Sequence, residues 1–477
     1  MHRAIGLSAL LVLGTAARAQ EGGTTRLSLE EYERLALEQS LRMRTARDTL
    51  RSQEYGRELA VRPLYLPSLS AEAEAGRAVS EDGVAPPIKT DTGEGRLSLT
   101  QPFLTGTDLS VTGSVAVSES RVPGPELASS DRSLPAWSAS LTQPLYLFVG
   151  NPRLRARRRA DLAYQGASDA KRSEELAVLV EARSLYYAMT VAAESLYVEQ
   201  AKLESARSVH RISQELVKAG RLAPVETARA DIRLKRDMRR VQNANSLRHQ
   251  AANQLKDFVL LASTATVRLA TPLEYRPFEE PLELLLALAA RQNPDLRAAR
   301  RSAETAQLDL SDAREGNRPR LSLNGTYAFE RNRPTPGSLT EPKSWSALVG
   351  LNWPLFDGTQ TRLRARQARI AIDNLRRDVE SRERELLVAV RNAYLDLKRA
   401  EEQVRDFEPQ GRSARQNLEV VRLQYKNGLA RLIDVFDAEN ELRDLELESL
   451  NLLSDFNRAR DRLGALVGLD PRDVGAP

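Results

Sequence analysis

The chain is written twice, and this repeat limits what it can fold into more than any other feature. Arg153-Leu-Arg-Ala-Arg157 returns unchanged at Arg362 to Arg366, Trp137 returns as Trp345, Tyr186 as Tyr394 and Gly220 as Gly428, all about 208 residues apart. Further upstream, Pro67-Ser-Leu-Ser matches Pro319-Arg-Leu-Ser at about 252 residues, so the first copy carries roughly 43 extra residues between those anchors. A repeat of this kind means one structural unit built twice. The boundaries it implies are residues 20–280 and 281–477, following a leader at 1–19. Each copy reads as helix, then strands, then a very long helix.

Ser28-Leu-Glu-Glu31 has the spacing of a capping box and predicts a helix to about Ala60, while Pro281 opens the matching helix from Leu282 to about Glu315. Strands follow, at about 68–147 in the first copy and about 319–355 in the second. Leu321, Leu323, Gly325, Tyr327 and Phe329 alternate with Ser322, Asn324, Thr326, Ala328 and Glu330, and Trp345, Ala347, Val349, Leu351 and Trp353 repeat the pattern. In the first copy Leu109, Val111, Gly113, Val115 and Val117 alternate with Ser110, Thr112, Ser114, Ala116 and Ser118. Runs of about ten residues with one apolar and one small or polar face suit a membrane strand between lipid and water. Long Pro/Gly/Ser-rich connections near 79–95, 120–135 and 331–344 contrast with a tight turn at Leu104-Thr-Gly-Thr107. Long and short connections alternate in this way in outer-membrane barrels. All three tryptophans, Trp137, Trp345 and Trp353, fall in these strands, where interfacial aromatics are expected. A soluble β-sandwich with a Trp-rich core is the alternative, but it leaves the following helices unexplained.

No proline lies between Pro152 and Pro224, so a single helix there would approach ~100 Å at about 1.5 Å per residue. Apolar residues recur at sevens: Ala182, Met189, Leu196, Leu203 and Val217 in the first copy, and Val390, Leu397, Val404, Leu418 and Tyr425 in the second. A second stripe runs through Phe407, Ala414 and Val421. A sustained seven-residue period means helices wound around neighbours. Pro409 and Gly411 interrupt the second stripe, and a kink is expected there. Each long helix then meets a glycine and restarts, at Gly220-Arg221-Leu222-Ala-Pro224 and at Tyr425-Lys-Asn-Gly428-Leu429-Ala430. Glycine supplies the left-handed backbone that ends a helix, and Pro224 suits the start of the next. Two helical hairpins result, at about 152–262 and 358–467.

Composition narrows the function classes. The chain has 477 residues and a mean hydropathy of −0.44. Past the N-terminus no run of about 18 consecutive apolar residues exists, so any membrane crossing is by β-barrel. Arg3, the apolar core from Ile5 to Leu13 and Ala17-Arg-Ala19 read as a secretory signal peptide, which predicts export. With no cysteine, disulfides, thiol nucleophiles and cysteine–zinc sites are excluded. Basic and acidic residues interleave on helical faces, which is a solvated surface and gives no sign of a nucleic-acid partner. His2 leaves with the leader, and His210 and His249 sit on helix faces. No phosphate loop, nucleophile elbow or paired metal-ligand spacing accompanies them, so no catalytic residue, cofactor or metal ligand is assigned and an enzyme is not expected.

In its tandem repeat, its Gln143-Pro144-Leu145 and Trp353-Pro354-Leu355-Phe356 strand-to-helix junctions, and its Tyr425-x-x-Gly428 turn followed by Asp434-Val-Phe-Asp437-Ala, the chain resembles the TolC-like outer-membrane efflux proteins. The resemblance covers Leu27 to about Leu469. It implies a homotrimer in which a transmembrane β-barrel in outer-membrane lipid continues as a long periplasmic α-helical barrel, the fold class being α+β membrane. It implies an exit duct for a tripartite efflux or type I secretion system, working with a periplasmic adaptor protein and an inner-membrane pump. Asp434 and Asp437 match the aspartates that ring the periplasmic aperture, and Tyr425 a tyrosine of the closed gate. By mutual repulsion the carboxylates would have raised pKa values in a closed pore. The family's basic gate residue would fall at Ala430, with Arg431 beside it, so its bonding does not carry over. The competing reading of both aspartates is that they favour the first turns of a helix. The resemblance also implies adaptor contact at Gly220, Arg221 and Leu222 and at Gly428, Leu429 and Ala430. Members of the usual kind have two strands per copy, whereas four are read between Leu69 and Leu147. That surplus hairpin either widens the barrel or packs elsewhere. The alternative function is a periplasmic coiled-coil adaptor or structural protein without a channel.

Overall fold

A computed structural model describes residues 24–80, 88–121, 128–132, 136–220, 223–329, 332–335, 338–340, 342–426 and 429–471. The predicted signal peptide lies outside them. The repeat is reproduced helix by helix. The first copy holds α1 (Leu29–Gln39), α2 (Leu41–Val61), α3 (Pro152–Lys218) and α4 (Pro224–Phe258), of 11, 21, 67 and 35 residues. The second holds α5 (Leu282–Gln292), α6 (Pro294–Arg314), α7 (Gln360–Lys426) and α8 (Leu432–Val467), of 11, 21, 67 and 36 residues.

The chain divides into two compact units. One comprises residues 50–167 and 299–378 and is built on a sheet. Its long strands are β2 (Ser68–Ser80), β3 (Ile88–Pro102), β4 (Asp108–Arg121), β6 (Ala136–Leu145), β8 (Arg320–Phe329) and β11 (Lys343–Asn352). They form an antiparallel meander in the order β11-β8-β6-β4-β3-β2, with the short β5 (Ala128–Arg132) on the upper end of β4. The surplus hairpin of the first copy therefore joins the sheet. The first expected long loop, near 79–95, is taken up by strand at both ends, since β2 runs to Ser80 and β3 starts at Ile88, and residues 81–87 lie outside the described residues. The other two long connections contain β5 and a small hairpin of β9 (Asn332–Thr335) and β10 (Ser338–Thr340). The tight turn holds: Gly106 has φ +95° and its N–H donates to the Phe103 carbonyl at 2.8 Å.

The other unit takes in residues 1–49, 168–298 and 379–477 and contains the greater part of both helical hairpins. It carries two cores made from repeat-related positions. Ala36, Ala182, Met189, Leu255 and Val259 pack in one. Their counterparts Ala289, Val390, Leu397, Leu463 and Val467 pack in the other. The heptad positions supply much of this burial, with Leu203, Ala414 and Leu418 also buried. A stretch of α3 is apolar enough to cross a membrane by composition, but half of it is buried within the fold. Helix α7 continues as one element through Pro409, where the kink was expected.

Two features depart from the sequence reading. Each helix expected before the strands is two helices, broken at Ser40 and at Asn293, which occupy equivalent places in the repeat. Both act as caps: Ser40 Oγ accepts from the Met43 N–H at 3.3 Å and Asn293 Oδ1 from the Leu296 N–H at 3.0 Å. The expected capping box itself forms, with Ser28 Oγ and the Glu31 carboxylate exchanging backbone bonds at 3.2 and 2.9 Å. In addition β1 (Thr24–Leu27) pairs in parallel with β7 (Thr266–Leu269). Four-residue strands over 240 residues apart leave no periodic signal.

Candidate functional site

In the sheet unit the alternation of the sequence becomes two faces. Residues directly opposite in an antiparallel ladder share a face, and one such row reads Leu69, Leu99, Val111, Ala139, Tyr327, Trp345 across six strands. The row beside it reads Ser70, Ser98, Thr112, Ser138, Ala328, Ser344 and lies on the opposite face. The first face is an exposed apolar band; Leu97, Val111, Leu141, Val349 and Leu351 all face outward uncovered. The second is a polar surface rich in hydroxyls, where Ser110 and Ser140 bond at 2.7 Å and Arg96 pairs with Glu94. An apolar band this extensive on a protein surface requires a partner or a lipid.

The tryptophans mark the two ends of this band. Trp137 packs on Tyr327 and Phe329 with ring centroids 5.3 and 6.1 Å apart, at the loop end of the strands. Trp345 sits opposite Tyr327 at the same end. Trp353 follows the last residue of β11 at the helix end, where Phe103, Phe148 and Phe356 are also exposed. The eight residue steps from Trp345 to Trp353 span about 26 Å at the rise of a strand. The helix end is fastened by Arg153, from the repeated Arg-Leu-Arg-Ala-Arg. Its guanidinium donates to the Phe103 and Thr107 carbonyls at 2.6 and 3.0 Å and to both Asp108 oxygens at 2.6 and 2.7 Å. That fork ties the β3–β4 turn to the first turn of α3.

In the helical unit, α3 ends at Gly220, whose φ of +72° is the left-handed conformation its position predicts. Arg221, Leu222 and Gly428 lie outside the described residues. Leu429 is 79% exposed and Ala430 partly so. Asp434 sits at the third position of α8, and its carboxylate accepts from the Arg431 N–H at 2.8 Å and from the Arg431 guanidinium at 3.0 Å. Those bonds hold the Asp434 carboxyl below its usual range in the single chain, the reverse of the direction expected for a ring of carboxylates. Asp437 is exposed one turn further on. Tyr425 packs against Val209, Leu432 and Phe436, and its hydroxyl has no hydrogen-bond partner among the described residues. Tyr425 and the base of α8 therefore meet through apolar contact and not through the carboxylates.

Next to these turns lies a buried polar network that the sequence does not announce. Glu439 of α8 accepts from Ser205 of α3 at 2.7 Å and from Arg422 of α7 at 2.8 Å. Asn440 accepts from Lys202 of α3 at 2.7 Å and from Arg233 of α4 at 3.0 Å. Arg233 also lies over the Phe436 ring at 4.4 Å. All four long helices are joined here. Burial, followed by the charges of Arg233 and Arg443, pulls the Lys202 ammonium down to about 8. The only sequence trace of this network is the Arg233–Asp237 pair at helical spacing, which looks like an ordinary surface pair until burial is known. A second buried cluster joins α3 to α8, where Arg183 meets Asp461 at 2.9 Å and the Tyr187 hydroxyl donates to the same carboxylate at 2.9 Å.

Known proteins match this arrangement. The family model described as outer membrane efflux protein matches residues 33–259 and 285–469. Outer membrane protein TolC of Vibrio cholerae is 28% identical over 204 residues, covering 41% of this chain and 47% of that protein, so the match spans about half of that relative. The alkaline protease secretion protein AprF of Pseudomonas aeruginosa is 23% identical over 347 residues, 70% of each chain. Among solved structures, the outer-membrane channel OprN superposes with a TM-score of 0.67 at 17% identity, covering 93% of this chain and 90% of that one. At that identity the likeness carries the fold. The two segments matched by the family model take in most of both copies of the repeat: the chain belongs to the outer membrane efflux protein family.

Proposed function

We propose that the chain is one third of a homotrimeric exit duct that serves a tripartite efflux or type I secretion system. Each repeat, 20–280 and 281–477, supplies strands to a barrel in outer-membrane lipid and one helical hairpin to a periplasmic tunnel. The observation that carries this reading is the pairing of an exposed apolar band with a hydroxyl-lined opposite face on the same strands, which is how a barrel wall separates lipid from water. Trp137, Trp345 and Trp353 serve as interface aromatics at its two edges. The duct is passive: energy and substrate choice belong to an inner-membrane pump, reached through a periplasmic adaptor that grips the helical turns. Exposed Leu429, Val225 and Ile433 beside those turns give such an adaptor apolar anchors, together with the segments Gly220 to Leu222 and Gly428 to Ala430.

The same turns form the gate. Asp434, Asp437 and Tyr425 lie where three protomers would converge, and the capping bond to Arg431 leaves Asp437 as the freer carboxylate. Reconstitution of the detergent-purified mature protein into planar bilayers tests the reading. Discrete conductance that rises in the Asp434→Ala, Asp437→Ala double variant is the expected result. Conductance indifferent to those changes removes the gate and keeps the duct. A monomer that stays soluble without detergent and never conducts overturns the duct in favour of a coiled-coil adaptor.

A further inference from the structure

The six-stranded meander has two free edges. Nothing pairs with the outer side of β2 or of β11 among the described residues, and both strands are exposed along nearly their whole length. A strand in hydrocarbon cannot leave its edge unpaired. Six strands are too few to close alone, since the smallest membrane barrels have about eight. Closure must come from further copies of the chain. Because the number of strands is even and all neighbours are antiparallel, β2 of one copy meets β11 of the next in the antiparallel sense. Size also matches at such a seam. The lipid-side residues of β2 include the small Ala71, Ala73 and Ala75, and those of β11 include the bulky Trp345, Val349 and Leu351.

Resting on the trimeric duct reading, we propose that three copies close a barrel of eighteen strands, with the inserted β3–turn–β4 hairpin built into its wall. Three observations place the hairpin there. Its pairing is continuous, from Lys89 opposite Arg121 to Pro102 opposite Asp108, and on the far side from Asp108 opposite Thr142 to Ser114 opposite Ala136. Its faces keep the parity of the other strands, with Leu97, Leu99, Leu109, Val111, Val115 and Val117 all exposed on the lipid side. Its turn is held at the helix end of the sheet by the Arg153 fork, level with the strand ends. Without the hairpin, β2 would meet β6 and three chains would close only twelve strands. Barrel diameter grows roughly linearly with strand number at similar tilt, so the hairpin makes the bore about half as wide again. The membrane segment then ceases to be the sieve. Solute size is limited at the helical turns, and the hydroxyl-lined barrel passes whatever clears them, polypeptides included.

Cryo-electron microscopy of the full chain in lipid nanodiscs decides the matter. The expected image is a three-fold particle with eighteen wall strands and β3–β4 among them. Three-fold particles with twelve wall strands and the hairpin outside the wall overturn the proposal while leaving the trimeric duct intact. Two-fold particles closing twelve strands overturn both the strand count and the trimer. A monomer with an open sheet overturns the duct itself. Removing residues 88–121 provides a second reading: the barrel should narrow to about two thirds of its diameter, and an unchanged diameter sinks the idea. Should that variant fail to fold, the strand count of the intact protein still decides.

Discussion

At the scale of single residues, burial separates side chains that look alike in the sequence. Lys202, Arg233 and Glu439 come from segments as charged as any other in these helices, yet all three are buried where the hairpins meet. A buried ammonium is costly unless it is well paired, and among the described residues Lys202 has only the neutral Asn440 oxygen as its close acceptor. Its folded value of about 8 lies below its ordinary 10.5. Between these two values the unfolded chain holds a proton that the folded one has lost, so stability rises with pH across that window and the full cost of the charge is present below about pH 8. Lys202→Met should melt higher than the parent at pH 7, and the gap should shrink as pH approaches 10. Melting curves of the two proteins that stay parallel over that range would falsify the assignment. Asp434 is the opposite case. A place in the first turn of a helix was one of two readings open from sequence, and in the single chain the carboxylate there bonds to Arg431.

At the scale of elements, local rules located most helices, and their ends were missed where tertiary packing decides them. Ser28 and Glu31 form the capping box their spacing foretold, whereas Ser40 and Asn293 break helices within sequences that read as continuous. The ends of α3 and α8 show how differently two glycines can be used. Both Gly220 and Gly468 have positive φ, but a Cβ on Gly220 would meet open space, while one on Gly468 would lie 2.8 Å from the Gln292 carbonyl oxygen. Gly220→Ala should therefore cost only the conformational strain of about 1 kcal/mol. Gly468→Ala should add an overpacking cost of about 1–3 kcal/mol, because the obstacle is backbone. Thermal denaturation of the two variants ranks them, and equal losses would show that the Gln292 backbone yields. Leu260 holds the equivalent place in the first copy with φ +54°, so that turn accepts a side chain where the second does not.

At the scale of the whole molecule, the duct reading makes the two sheet faces unequal. Leu141 and Ser140 are neighbours in β6 on opposite faces, Leu141 opposite Leu109 and Gly325, Ser140 opposite Ser110 and Thr326. Leu141→Arg places a charge in the lipid near the middle of the band, at a cost of about 2–4 kcal/mol, while Ser140→Arg faces the lumen and should cost far less. Urea unfolding in lipid vesicles measures both. A Ser140→Arg variant that assembles but conducts with altered ion preference would complete the contrast, whereas similar losses for both would mean the faces are not lipid and water.

The sequence by itself determined the repeat, the two long helical hairpins, the two faces of the strands and the family, because all of these are written in local periodicity and in spacing between copies. Every one of them can be read without knowing what touches what. The tertiary structure alone decided that the surplus hairpin lies in the sheet, since its alternation is as good as that of the other strands and only the pairing of β4 with β6 distinguishes insertion from a separate packing. It also decided which charges are buried between the hairpins and that β1 and β7 pair from opposite ends of the first copy. Burial and long-range pairing depend on segments some 240 residues apart, and no local pattern records which of them meet.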